Sequence, residues 1–207
     1  MSNEPTYVAL GDSTGAGVGA LSGGGYPERL LHRLHGLHPG LRLLNLSRSG
    51  ATTSDVLAGQ VPHALRTRPR LITLGIGIND VGMQLPADAF ALTLEGIVTS
   101  LRKLKAPIAI TNLPDLAISP AVQHLASQTF YERRLQQFNE HIEATAARHT
   151  LALIDLWTLS RTALADRPEL FCGDGFHPSA EGYESWAELM WPSVEPLLGA
   201  GGAAAGI

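Results

Sequence analysis

A serine hydroxyl becomes a competent nucleophile only when a base lies within hydrogen-bond reach and a third group orients that base. Near its N-terminus the chain reads Ala9-Leu10-Gly11-Asp12-Ser13, and near its C-terminus Cys172-Gly173-Asp174-Gly175-Phe176-His177-Pro178. Ser13, His177 and Asp174 are the three residue types that acyl transfer through a serine requires. In such a set Ser13 attacks, His177 takes the proton and returns it to the leaving group, and Asp174 holds the imidazole tautomer. Acyl transfer also needs donors for the developing oxyanion. The candidates are the backbone N–H groups of Ser13 and Gly50 and the side-chain amide of Asn79, in Gly77-Ile78-Asn79-Asp80. At Gly50 the missing Cβ lets a substrate approach the backbone.

These groups are far apart in sequence, so regular elements must bring them together. Five short apolar runs recur, at residues 7–10, 41–46, 71–76, 108–113 and 151–156. None alternates cleanly with polar residues, which suits parallel strands covered on both faces. Helical patterns lie between and after them, at 27–37, 54–65, 87–104, 129–149 and 179–198. Pro27 and Pro178 suit helix entries, while Pro192 and Pro196 are expected to break or shorten the last helix. Strand and helix alternating five times predict an α/β fold, a three-layer α/β/α sandwich on a five-stranded parallel sheet. In such sheets ligands bind beyond the carboxyl ends of the strands. Ser13, Gly50, Asn79, Asp174 and His177 each follow a strand, so the fold predicts that all reach one rim. With no Gly/Ser-rich linker, residues 1–198 read as one domain. The Gly/Ala-rich tail, 199–207, is expected to be disordered.

Composition narrows the class. A chain of 207 residues that is 44% hydrophobic can bury a sizeable core. A net charge of −4 argues against nucleic acid as a partner. One cysteine excludes an intrachain disulfide and a cysteine zinc cage. No apolar run approaches the roughly 20 residues that span a bilayer, so stable membrane insertion is not expected. No signal peptide is evident, and a cytoplasmic location is the expectation.

Four blocks, Gly11-Asp12-Ser13, Gly50, Gly77-Ile78-Asn79-Asp80 and Asp174-Gly175-Phe176-His177, resemble the GDSL or SGNH hydrolase family. Each block is weak alone; their order and their strand ends make the signal. The resemblance implies a flavodoxin-like α/β/α domain with Ser13 as nucleophile. It implies Ser13, Gly50 and Asn79 as the oxyanion hole, and Asp174 and His177 as the rest of a triad. It implies a small acyl ester as substrate: a carboxylester, with thioesters, lysophospholipids and acetylated sugars in the family's range. No metal or organic cofactor is needed. The expectation is a short- to medium-chain esterase, with a carbohydrate O-acetylesterase as the enzymatic alternative. One departure is Thr14, where the family's name has Leu; it bears on subfamily and pocket shape.

Other readings compete at several residues. Ser13 alone would read as a turn residue, and Asp174 as a helix cap. Asp12 is expected to bond the amides of neighbouring loops, and Asp80 to organise its own turn. His32, His35 and His38 repeat every three residues without acidic or thiol companions, and read as a solvated helix face. Gly15-Ala16-Gly17-Val18-Gly19-Ala20 formally fits a dinucleotide-binding G-x-G-x-x-[GA]. Three residues separate it from the strand, Gly23-Gly24-Gly25 opposes a helix start, and no acidic residue ends strand two. An oxidoreductase is therefore disfavoured. Leu116, Ile118, Val122, Leu125, Met83 and Leu85 are candidate pocket residues, or else they pack their loops onto the domain.

Overall fold

A computed structural model describes residues 5–123 and 127–199. Five parallel strands form one sheet: β1 (Thr6–Gly11), β2 (Arg42–Asn45), β3 (Pro69–Gly75), β4 (Ile108–Thr111) and β5 (Ala152–Ile154). Their order is β2-β1-β3-β4-β5. The chain moves outward from β1 to β2, then crosses back to β3. The gap between the ends of β1 and β3 is therefore the switch point at which open α/β sheets bind ligands. In register, Gly11 pairs with Gly75, so the segments that carry Ser13 and Asn79 leave the sheet side by side.

Alternation along each strand divides the core. Val8 and Leu10 of β1, Ile72 and Leu74 of β3, and Ile108 and Ile110 of β4 face one layer. That layer comprises α3 (Thr53–Asp55), a π-helical turn (Val56–Gln60), α4 (Val61–Ala64), α6 (Ala87–Arg102) and α7 (Gln128–His149). In α6 the buried residues Phe90, Leu94, Ile97, Val98 and Leu101 follow the helical period and form one stripe. Tyr7, Ala9, Leu71 and Ala109 face the other layer, α2 (Tyr26–Leu34), α8 (Leu156–Ala163) and α9 (Ala180–Gly199). The result is the expected three-layer sandwich. Two short helices, α1 (Ser13–Ala16) and α5 (Ile78–Gly82), follow β1 and β3 directly.

Two expectations need correction. Helix α9 runs through Pro192 and Pro196 to Gly199. Each proline removes one backbone donor, but Tyr183, Trp186, Ala187, Met190, Val194 and Leu198 are all buried and hold the helix against the sheet. The last strand ends at Ile154, not 156, because Asp155 caps α8 by accepting from Thr158 N. Of the tail expected to be disordered, Gly199 ends α9 and residues 200–207 lie outside the described residues, as do His124 and Leu125. No helix among the described residues is long and apolar enough to cross a membrane.

Candidate active site

Ser13 is the first residue of α1 and is buried, at 7% exposure. Opening a helix leaves its amide without an intrahelical partner. Two contacts fix the backbone just before it. Gln60, at the end of the π-helical turn, donates from Nε2 to Gly11 O at 2.8 Å and accepts from Gly11 N at 2.9 Å. Asp12 caps α1, its Oδ1 accepting from Thr14 N at 3.0 Å and Thr14 Oγ1 at 2.9 Å. Burial pushes the Asp12 carboxyl up to about 6, although the Thr14 bonds and His177 pull the other way. Thr14 therefore makes a bond that leucine at this position would lack.

His177 and Asp174 lie in a closed turn. Cys172 N donates to His177 O at 2.8 Å and Gly175 N to Cys172 O at 2.9 Å. An isolated bridge between Phe171 and Pro178 brackets it. His177 Nδ1 is 2.6 Å from Asp174 Oδ2, and His177 Nε2 is 3.0 Å from Ser13 Oγ. Residues 164 positions apart are thus joined in one hydrogen-bonded line. Asp174 Oδ1 accepts from Phe176 N and His177 N, each at 2.8 Å, and from Cys172 Sγ at 3.2 Å. Desolvation raises the Asp174 carboxyl, but the bonds from His177, the two amides and Cys172 outweigh it and hold the group well below the usual carboxylate range. Asp174 does not cap α9, which begins at Ala180.

Cys172 reads as a packed residue in sequence, yet it donates to the carboxylate that meets the imidazole. Burial pushes its thiol up, so the proton it donates stays in place. Its position two residues before Asp174 is the one sequence signal for that role.

Gly50 and Asn79 are tied to each other's segments. Asn79 Nδ2 donates to Ala51 O at 2.9 Å. Gly50 is exposed and has φ +77°, a conformation that favours glycine, and a Cβ built there would meet nothing within 4 Å. Space above its backbone is open, as close approach requires. Asp80 is buried and reaches the β2 loop, accepting from Thr53 Oγ1 at 2.6 Å and Thr53 N at 3.0 Å and 3.2 Å. Burial raises its carboxyl, against the pull of the Thr53 bonds. The expected roles of the two aspartates are therefore exchanged: Asp12 serves its own turn and Asp80 joins neighbouring loops.

A pocket runs from Ser13 and His177 across the α2–α9 face of the sheet. Leu113, Leu116, Ile118, Leu156, Trp186 and Met190 supply much of its apolar wall. Of the residues expected to line it, Leu116 and Ile118 do so. Met83 is exposed instead, Val122 and Leu85 lie outside the lining, and neither Gly50 nor Asn79 borders this deep part. Trp186 and Met190 come from the last helix, where sequence marks them only as core. Elsewhere, His35 Nε2 hydrogen-bonds Leu41 O at 2.8 Å. Gly17 caps the four-residue α1, and the next helix opens only at Tyr26, so the glycine run does not have the strand–helix setting of a dinucleotide site.

Known proteins resemble this chain in sequence and in fold. Esterase TesA of Pseudomonas aeruginosa is 25% identical over 193 residues, covering 93% of this chain and 89% of that one. The GDSL-like esterase Rv1075c of Mycobacterium tuberculosis is 28% identical over 196 residues, 92% of this chain and 62% of its own length. Among solved structures, TesA superposes with a TM-score of 0.77 at 24% identity, covering 93% of this chain and 99% of that one. The acetyl xylan esterase Axe2-W215I of Geobacillus stearothermophilus gives 0.76 at 22% identity, covering 93% and 94%. The model of the GDSL-like lipase/acylhydrolase family matches residues 9–185, and this chain belongs to that family.

Proposed function

We propose that the protein is a serine esterase that hydrolyses carboxylic acyl esters of short to medium chain length through an acyl-Ser13 intermediate. The observation that carries this reading is the line from Ser13 Oγ through His177 to Asp174. In the first step Ser13 Oγ attacks the carbonyl carbon and its proton passes to His177 Nε2. The carbonyl oxygen becomes an oxyanion, met by the Ser13 and Gly50 amides and the Asn79 side chain. Collapse breaks the bond to the leaving alcohol, which takes the proton from Nε2. Water then attacks the acyl-Ser13 carbonyl, giving its proton to His177, and the acid departs as Ser13 regains a proton. Asp174 accepts from Nδ1 throughout, keeping Nε2 free as acceptor and favouring the imidazolium when it forms.

The pocket supports an acyl chain over an acetyl group, because an acetyl would leave most of its apolar wall unused. Axe2 shares the fold, and at 22% identity that likeness does not extend to its substrate. A p-nitrophenyl ester series from acetate to dodecanoate, with an acetylated xylo-oligosaccharide beside it, tests the reading. Turnover is expected to peak between butyrate and octanoate, and Ser13→Ala is expected to abolish both turnover and fluorophosphonate labelling. Labelling that persists in Ser13→Ala would move the nucleophile elsewhere. Preference for the acetylated sugar would replace the acyl-chain reading.

A further inference from the structure

Gly75 and Thr111, at the ends of β3 and β4, line the pocket, and Gly75 adds no side chain at all. A Cβ on Gly75 would lie 3.2 Å from Thr111 Oγ1 and 3.4 Å from Tyr26 OH, so two hydroxyls converge over the bare glycine. Tyr26 and Ser119 line this pocket, and each is only 1% exposed. Neither Tyr26 OH nor Ser119 Oγ has a hydrogen-bond partner in the protein. Thr73 lies close enough to Tyr26 to favour its ionised form, but Thr73 Oγ1 is engaged with Tyr7 OH at 2.8 Å and makes no bond of hydrogen-bond distance and angle to Tyr26 OH.

Buried hydroxyls are normally paired, and an unpaired one needs an explanation. Here two belong to residues that line one pocket with the proposed nucleophile. We infer that, on the esterase reading of Ser13, the acyl chain accepted by this pocket carries a hydroxyl, which Tyr26 OH and Ser119 Oγ recognise. A hydroxyl both donates and accepts, so it pairs with either oxygen. A plain alkyl chain fills the same space and pairs with neither. Both oxygens are covered in this structure, so the chain reaches them by shifting lining side chains.

The test compares ethyl hexanoate with its 3-hydroxy and 6-hydroxy forms by pH-stat titration. The proteins are the wild type, Tyr26→Phe, Ser119→Ala and, as control, Ser13→Ala. At least one hydroxylated ester is expected to exceed the plain ester in kcat/KM by about 5- to 10-fold, the scale of one or two hydrogen bonds of ordinary net strength. Tyr26→Phe or Ser119→Ala is expected to bring that ratio towards one. A wild-type ratio near one, with hydrolysis that depends on Ser13, overturns this inference and leaves the esterase reading standing. A preference that survives both substitutions overturns the assignment to these two hydroxyls. No Ser13-dependent hydrolysis of any of the three esters overturns the esterase reading itself, and the inference with it. Thermal melts of the variants separate a lost preference from a lost fold.

Discussion

The groups assigned to proton transfer and those assigned to the oxyanion are assembled in different ways. Asp174 and His177 share one turn, and the 2.6 Å bond between them spans three residues of sequence. Local amides complete the carboxylate, so little beyond residues 172–178 is needed to shape the pair. Ser13, Gly50 and Asn79 come instead from the ends of β1, β2 and β3. Cross-loop bonds hold them, from Asn79 to Ala51 and from Thr53 to Asp80. That arrangement exists only once the three strands are in register. Substitution in the turn is therefore expected to act on chemistry with little effect on fold, while substitution in the loops mixes the two.

The sharpest way to break this contrast is Asp174→Asn. An asparagine still accepts from the Phe176 and His177 amides, but it favours the wrong imidazole tautomer. A fall of about 10⁴ in kcat is expected, the scale of that change in a serine triad, with the fold retained. A fall of less than tenfold in steady-state hydrolysis would remove Asp174 from the proton path. Asn79→Ala comes next. Losing one oxyanion donor costs about 10²–10³ in kcat, and the Ala51 tether goes with it. Both kcat and Tm are expected to drop. A lowered Tm with normal kcat would make Asn79 a tether alone.

The smallest effect separates the two aspartates by pH. Asp174 is held below the usual carboxylate range in the folded protein. Its contribution is present above that range and is lost as pH falls through and below it. Asp12 is raised to about 6 from 3.8. The folded state thus favours its protonated form, and this advantage is lost as pH rises from about 4 to about 6. Across that window the Tm of Asp12→Asn should gain on the wild type, because asparagine keeps an oxygen for Thr14 and has no charge to bury. Below about pH 4 the wild type should lose its margin over Asp174→Asn. Parallel Tm curves from pH 3 to 7 for all three proteins would refute both assignments.

Much of this was legible in the sequence because its signals are local or periodic. Apolar runs announced the strands, and their alternation with helical patterns implied parallel pairing. Ser13, Asp174 and His177 stood out by residue type, and strand ends placed them on one rim. Other features depend on distant partners. Gln60 looks like a helical surface residue until it is seen clamping Gly11, 49 positions away. Asp80 reads as a turn residue until Thr53 is found beside it. Pro192 and Pro196 predict a break because propensity is local, whereas burial of Met190, Val194 and Leu198 is not.

The sequence by itself determined which chemistry was available and which layers would form, since residue type, spacing and hydrophobic period are properties of the chain. Only the tertiary structure decided which groups meet: the imidazole 3.0 Å from Ser13, the exchanged duties of Asp12 and Asp80, and the pocket's lining. The pocket arises because Gly75 and Thr111 at the strand ends share its wall with Tyr26, Trp186 and Met190 from helices far away in sequence. Space between side chains belongs to no single residue, and it exists only when the elements are packed.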